Sequence, residues 1–264
     1  MTSWMQKING IEQERRLVEE GGGVDAITRQ HESGKMTARE RIAKLLDTGT
    51  LMEFEPWDEP TKTGFDIDEE HIPADAVVTG SGEINGRPIY LYAQDFTTVK
   101  GTMATVHMAK ITQVMERALK ARIPLIGIID SAGMRIEDAL VGHRFYSPSS
   151  IMYLQTLMSG VVPQISLVMG PCVGEMACST ALADFVFMVE GSSYMHLISN
   201  SSDADIEQLK DVKLHSRISG CCDFVAKNDE HCLNMCKRKR IHRECKICQG
   251  RPLGPGIQDE RRRA

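Results

Sequence analysis

The strongest constraint on the fold is a pattern that occurs twice. The apolar run PLIGIID (124–130) breaks through Ser131-Ala132-Gly133 into MRIEDAL. About 40 residues later QISLVMG (164–170) breaks through Pro171-Cys172-Val173-Gly174 into EMACSTAL. Runs this apolar, without alternation, are the pattern of strands buried on both faces. Helical segments precede both: Met103, Val106, Ile111, Val114, Met115, Ala118 and Leu119 recur at helical spacing, and 149–159 forms a second helical stretch. FVFMV (185–189) reads as the next strand. Helices alternating with buried strands imply a layered α/β fold.

Upstream, AVVTGSGEI and RPIYLYAQDF are β-rich runs joined by Asn85-Gly86, a strong hairpin signal. Residues 3–48 read as helices interrupted at Gly21-Gly22-Gly23, and Thr37 to Glu40 (TARE) forms a capping box before RERIAKLL. Between these parts, 51–74 is acidic and holds Pro56, Pro60 and Pro73, so it is expected to be an irregular surface connection.

Charge divides the chain. Residues 237–264 hold ten Lys/Arg and three Asp/Glu, a net of +7, whereas residues 1–236 hold 21 basic and 33 acidic residues, a net of −12. The composition, 42% hydrophobic and 25% charged, is that of a globular protein rather than a disordered or fibrous one. No apolar stretch approaches the ~20 residues of a membrane span. The charged N-terminus MTSWMQKINGIEQERR has no secretory signal pattern, which places the expected location in the cytoplasm. KRKR is compatible with an acidic surface or nucleic acid, but no aromatic residue follows Phe224 to stack on bases, and no nucleic-acid partner is expected.

A strand that breaks through small residues into a helix leaves backbone N–H groups without intrahelical partners. Two such turns side by side suit an oxyanion or enolate, although the same glycines also serve merely to close tight turns. GxSxG, Walker and HExxH signatures are absent. Glu175, just after the second turn, is placed as a general base or, more blandly, as a first-turn helix acid. Arg135 and Lys100 are candidates for phosphate contact, with solvated charge as the alternative, and His107 lies on an apolar helix face and reads as a satisfied core histidine. Cys232, Cys236, Cys245 and Cys248, with His231 and His242, have metal-ligand character. The segment CKRKRIHREC, however, lacks the turns and apolar residues of a zinc module, so no metal is expected.

KMTARERIAKLLDTGTLMEFE, VVTGSGEINGRPIYLYAQDFT, ALKARIPLIGIIDSAGMRIEDAL and QISLVMGPCVGEMACSTALADFVFMVEGSSYM closely resemble the N-terminal half of the biotin-dependent acyl-CoA carboxyltransferases, the propionyl-CoA carboxylase β subunits and methylmalonyl-CoA decarboxylase relatives. The resemblance implies a crotonase-like (ClpP/crotonase) spiral of ββα units, here one domain over residues 1–236 with N-terminal helices and a basic tail over 237–264. It implies transfer of a carboxyl group between biotin, carried on a biotin carboxyl carrier protein or biotinylated subunit, and the α-carbon of a coenzyme A thioester. A homo- or hetero-oligomer is expected. By this resemblance the amides of Ala132 and Gly133 form an oxyanion hole, and Ser131, Arg135, Gly170, Pro171, Cys172, Val173, Gly174 and Glu175 line the acyl-CoA pocket.

Four places depart from the family pattern. Ala132-Gly133 stands where Gly-Gly is usual, though Ala still supplies an N–H, Met134 stands where a small residue is usual, Glu175 replaces a glycine, and Lys100-Gly101-Thr102 replaces a Gly-Gly-Ser-like turn. The family continues into a second such domain, so the chain is expected to be truncated, with the tail an unrelated extension or a shifted reading frame. The alternatives are a stand-alone enoyl-CoA hydratase or isomerase using Glu175, and a non-catalytic zinc-binding fragment.

Overall fold

The computed structural model describes residues 4–141, 147–197 and 211–238. Three helices lead: α1 (Trp4–Glu19), α2 (Val24–Glu32) and α3 (Ala38–Leu45). The capping box at the start of α3 is formed, with Thr37 and Glu40 each satisfying the other's backbone amide. The sheet follows in chain order: β1 (Met52–Phe54), β2 (Val77–Glu83), β3 (Pro88–Gln94), β4 (Leu125–Ser131), β5 (Gln164–Val173), β6 (Phe185–Val189), β7 (Tyr194–His196) and β8 (Phe224–Ala226). Its helices are α4 (Thr105–Ala121), α5 (Ile136–Val141), α6 (Pro148–Met158), α7 (Glu175–Ala181) and α8 (Asp229–Arg238).

The spatial order is β1-β2-β3-β4-β5-β6-β8, with β7 added to the far end of β5. The first two pairings are antiparallel and the rest parallel. Asn85 and Gly86 take φ of 52° and 71°, the left-handed pair that a two-residue hairpin turn requires. Both sheet faces are covered. On one face Val77, Tyr92, Ile129, Val168 and Met188 pack against Ile111, Met115, Ile151 and Met176 of α4, α6 and α7. On the other, Val78, Leu91, Ile126, Ile128, Leu167 and Phe187 pack against Ile42, Leu45 and Leu233 of α3 and α8.

Two expectations need correction. The 51–74 segment is not wholly an irregular surface stretch: β1 pairs with β2, and Ile72, Pro73 and Ala74 are buried. The cause lies on α4. Lys110 is buried and donates from Nζ to the carbonyls of Glu55, Ala74 and Val77, drawing that segment inward. Its burial brings its pKa down to about 8. In addition, Gly170 to Val173 is not a turn but the end of β5, paired with β4 and β7, so the break falls at Gly174 alone.

Cys232 and Cys236 stand one turn apart on α8 and are buried in the core against α3 and the sheet. Burial pushes both thiols up, Cys236 to about 12, so both are protonated core side chains at neutral pH. Among the described residues no group of His, Cys, Asp and Glu side chains can hold a metal ion. Cys245, Cys248 and His242 lie outside the described residues. Among the described residues no helix is long and apolar enough to cross a membrane.

Candidate active site

β4 and β5 are parallel neighbours whose carboxyl ends lie side by side, with Ser131 paired to Cys172. The carboxyl edge of parallel strands is where α/β folds place ligands, because the following loops and helix starts converge there. A Cβ added to Gly133, at φ 106°, would lie 3.7 Å from the Val173 side chain, so the two strand ends are near neighbours there, with space for one carbon between them.

The donors at the first break are already in use. Ala132 donates its amide to the carbonyl of Lys100 at 3.0 Å, and Gly133 donates to Oγ of Ser131 at 3.1 Å. Gly174, at the second break, donates to the carbonyl of His196 at 2.8 Å. The next amides, of Glu175 and Met176, open α7 without an intrahelical acceptor, and Gly174 at the N-cap has no side chain to offer one. Cys172 is buried beside Thr180, and burial pushes its thiol up to about 12, which removes it as a nucleophile. Pro171 and Val173 are buried; Ala132, Glu175 and Lys100 are exposed at the rim.

Two buried ion-paired assemblies flank the first break, and neither was foreseen from sequence. Asp130, wholly buried, accepts from Lys35 at 2.7 Å, from Gln30 at 3.2 Å and from Arg41 at 2.7 Å. Arg41 also donates to Asp229 at 2.7 Å and to the carbonyl of Met169 at 3.1 Å. Burial alone would lower the Arg41 pKa, but Asp130 and Asp229 outweigh it and raise it. Gly170 belongs to this assembly rather than to an open pocket, since a Cβ there would overlap the Asp130 carboxylate.

On the far side, Arg135 is turned inward. It pairs with Asp75 at 2.6 Å and donates to the carbonyl and hydroxyl of Thr102 at 3.1 and 3.3 Å. Its fork is filled by the chain, so its place is structural and not at the rim with a phosphate. Asp75 lies in the left-handed run Ala74-Asp75-Ala76, with φ of 53°, 49° and 59°. Three consecutive non-glycine residues in that region are costly and must be held by surroundings. Arg135, His107 and Lys110 supply the hold.

His107 links the two assemblies. The Asp130 amide donates to Gln94 Oε1 at 3.3 Å, which turns the Gln94 amide nitrogen toward His107 Nε2 at 3.2 Å. Nε2 is then the acceptor, leaving Nδ1–H to donate to the Asp75 carbonyl at 2.8 Å. The imidazole is neutral, and burial takes its pKa down to about 3.

Comparison with known proteins gives the same outline. The sequence profile of the family described as carboxyl transferase domain matches residues 29–240. Methylmalonyl-CoA decarboxylase subunit alpha of Propionigenium modestum is 38% identical over 240 residues, covering 88% of this chain and 46% of that protein. The mitochondrial propionyl-CoA carboxylase beta chain of Homo sapiens is 40% identical over 228 residues, covering 83% and 42%. A crystal structure of transcarboxylase 12S, described as a hexamer with methylmalonyl-coenzyme A and methylmalonic acid bound, superposes with a TM-score of 0.83 at 31% identity, covering 91% of this chain and 48% of that one. The chain thus spans about half the length of the relatives it matches. The fold is the crotonase-like one of these carboxyltransferases. These likenesses favour neither a stand-alone hydratase nor a zinc-binding fragment.

Proposed function

The chain belongs to the carboxyl transferase domain family, and from that premise we propose that it forms the acyl-CoA half of a carboxyltransferase site. It binds a coenzyme A thioester at the carboxyl ends of β4 and β5, where a carboxyl group passes to or from the α-carbon. The observation that carries this reading is the adjacency of the two strand-to-helix breaks, with Gly133 against Val173. Backbone amides stabilise an enolate without any side-chain nucleophile, which fits the burial that pushes the Cys172 thiol up to about 12.

The residues divide the work. Glu175 and Met176 offer amides at the start of α7. Gly133 offers a further one once the ligand oxygen takes the place of Ser131 Oγ, which needs only a side-chain rotation. Ala132 has a backbone acceptor, so its amide positions the turn instead of serving the ligand. The Glu175 carboxylate stands in water at the rim, where its repulsion of a nearby anion is weakened by the solvent. Biotin, when delivered, supplies the carboxyl group; the exposed rim of Lys100, Ala132 and Glu175 suits delivery on a partner protein, and an oligomer supplies the remaining walls.

Titration calorimetry with propionyl-CoA and methylmalonyl-CoA tests this reading. Binding below millimolar concentration that free coenzyme A does not reproduce is the expected result; no binding of either thioester at millimolar concentration overturns it.

A further inference from the structure

β7 runs beside the end of β5 with Pro171 opposite Tyr194, Cys172 opposite Met195 and Val173 opposite His196. Side chains alternate between faces along a strand. Cys172 and Met195 enter the core beneath α4, α6 and α7, so Val173, Tyr194 and His196 take the opposite face. That is the face on which Gly133 meets Val173. His196 is fixed in place: its carbonyl accepts the Gly174 amide at 2.8 Å, and its ring stacks on Tyr194 at 5.7 Å between centroids and 9° between planes. Yet its Nδ1 is buried and has no hydrogen-bond partner among the described residues. A buried polar atom left unpaired costs free energy that a ligand oxygen would recover.

We propose that His196 is a specificity-determining residue of the acyl-CoA site, its Nδ1–H donating to the carboxylate of a carboxylated acyl group lying over Gly133 and Val173. This rests on the carboxyltransferase reading. A donor here distinguishes a carboxylated thioester from its decarboxylated counterpart, since only the former presents a charged acceptor, and hydrogen bonds to charged groups are the stronger kind.

The test compares the full chain with His196→Ala and His196→Asn, titrating each with methylmalonyl-CoA and with propionyl-CoA. Asn can place its amide nitrogen near the position of Nδ1. The expected result is that Ala weakens methylmalonyl-CoA binding about fivefold or more, leaves propionyl-CoA within about twofold, and is rescued by Asn. Unchanged methylmalonyl-CoA binding in His196→Ala overturns the proposal, as does an equal loss for both thioesters, which would mark a structural role. If the unsubstituted chain binds neither thioester, the carboxyltransferase reading falls and this proposal with it.

Discussion

The amide of Gly133 and the hydroxyl of Ser131 are joined by a hydrogen bond of 3.1 Å, so this backbone donor at the first break is held by a side chain rather than by backbone. The neighbouring Ala132 amide is held by the carbonyl of Lys100, in a segment where Val99, Lys100 and Gly101 have φ of 40°, 56° and 63°. One donor can be released by rotating Ser131; the other only by moving a strained loop.

Replacing Ser131 with Ala therefore has two opposed effects. The free protein loses about 1 kcal/mol, because a buried amide is left unpaired, and acyl-CoA affinity rises roughly fivefold, because the ligand no longer displaces a competitor. Denaturant unfolding and calorimetry on the same variant read both. A stability loss without gain in affinity would mean that Gly133 does not serve the ligand.

The Lys35–Asp130–Arg41–Asp229 assembly ties α3, α8 and the segment between α2 and α3 to the end of β4. Removing one member strands a buried charge, so Asp130→Asn is expected to cost about 3–5 kcal/mol. Gly170→Ala should cost a similar amount by pushing the same carboxylate aside. Arg41→Met combined with Asp130→Asn should cost less than the sum of the singles, since both remove one coupled interaction. Urea midpoints of Gly170→Ala, of the two singles Arg41→Met and Asp130→Asn and of their double measure this.

Much of this architecture is written locally. Asn85-Gly86, the Thr37–Glu40 box and the unbroken apolar runs of β4 and β5 act through nearest neighbours, and a single chain displays them. What was illegible depends on distance. Asp130 looks like the polar end of a strand, and nothing near it announces that its partners lie at positions 30, 35 and 41. Arg135 looks like an exposed cation following a turn, because its partner Asp75 sits 60 residues upstream, directly after a segment that proline and acidity mark as surface. β7 and β8, of three residues each, are too short for alternation to emerge from noise. His196 was missed because its meaning comes only from the strand beside it.

His107 makes stability depend on pH in a definite direction. Its folded pKa of about 3 lies below the ordinary 6.5, so below pH 6.5 the unfolded chain binds a proton that the folded one does not. Stability is complete above pH 6.5 and falls as pH drops toward 3, by up to about 1.4 kcal/mol per pH unit from this group. His107→Asn keeps a donor for the Asp75 carbonyl but cannot titrate. It should be less stable at pH 7 and lose less between pH 6.5 and 4. Parallel slopes for the two proteins in urea unfolding across that range would refute the assignment.

The last prediction concerns the far wall of the turn. Arg135 uses three nitrogens at once, on Asp75 Oδ1, the Thr102 hydroxyl and the Thr102 carbonyl, and so joins the loop before α4 to the segment after Gly133. Lysine carries the same charge but is a point donor without the planar fork. Arg135→Lys can keep the ion pair with Asp75 while losing Thr102, for a stability loss of about 1–3 kcal/mol. Because Met103 and Met134 are bridged between the same two segments, with Met103 N donating to the Gly133 carbonyl at 2.8 Å and Arg135 N to the Met103 carbonyl at 2.8 Å, loosening Thr102 transmits directly to Gly133. Acyl-CoA affinity should fall several-fold although Arg135 never reaches the ligand. Hydrogen exchange at the Gly133 and Arg135 amides separates this route from direct contact: faster exchange in the free variant accompanies the positioning role, whereas unchanged exchange with weaker binding would place the guanidinium on the substrate after all.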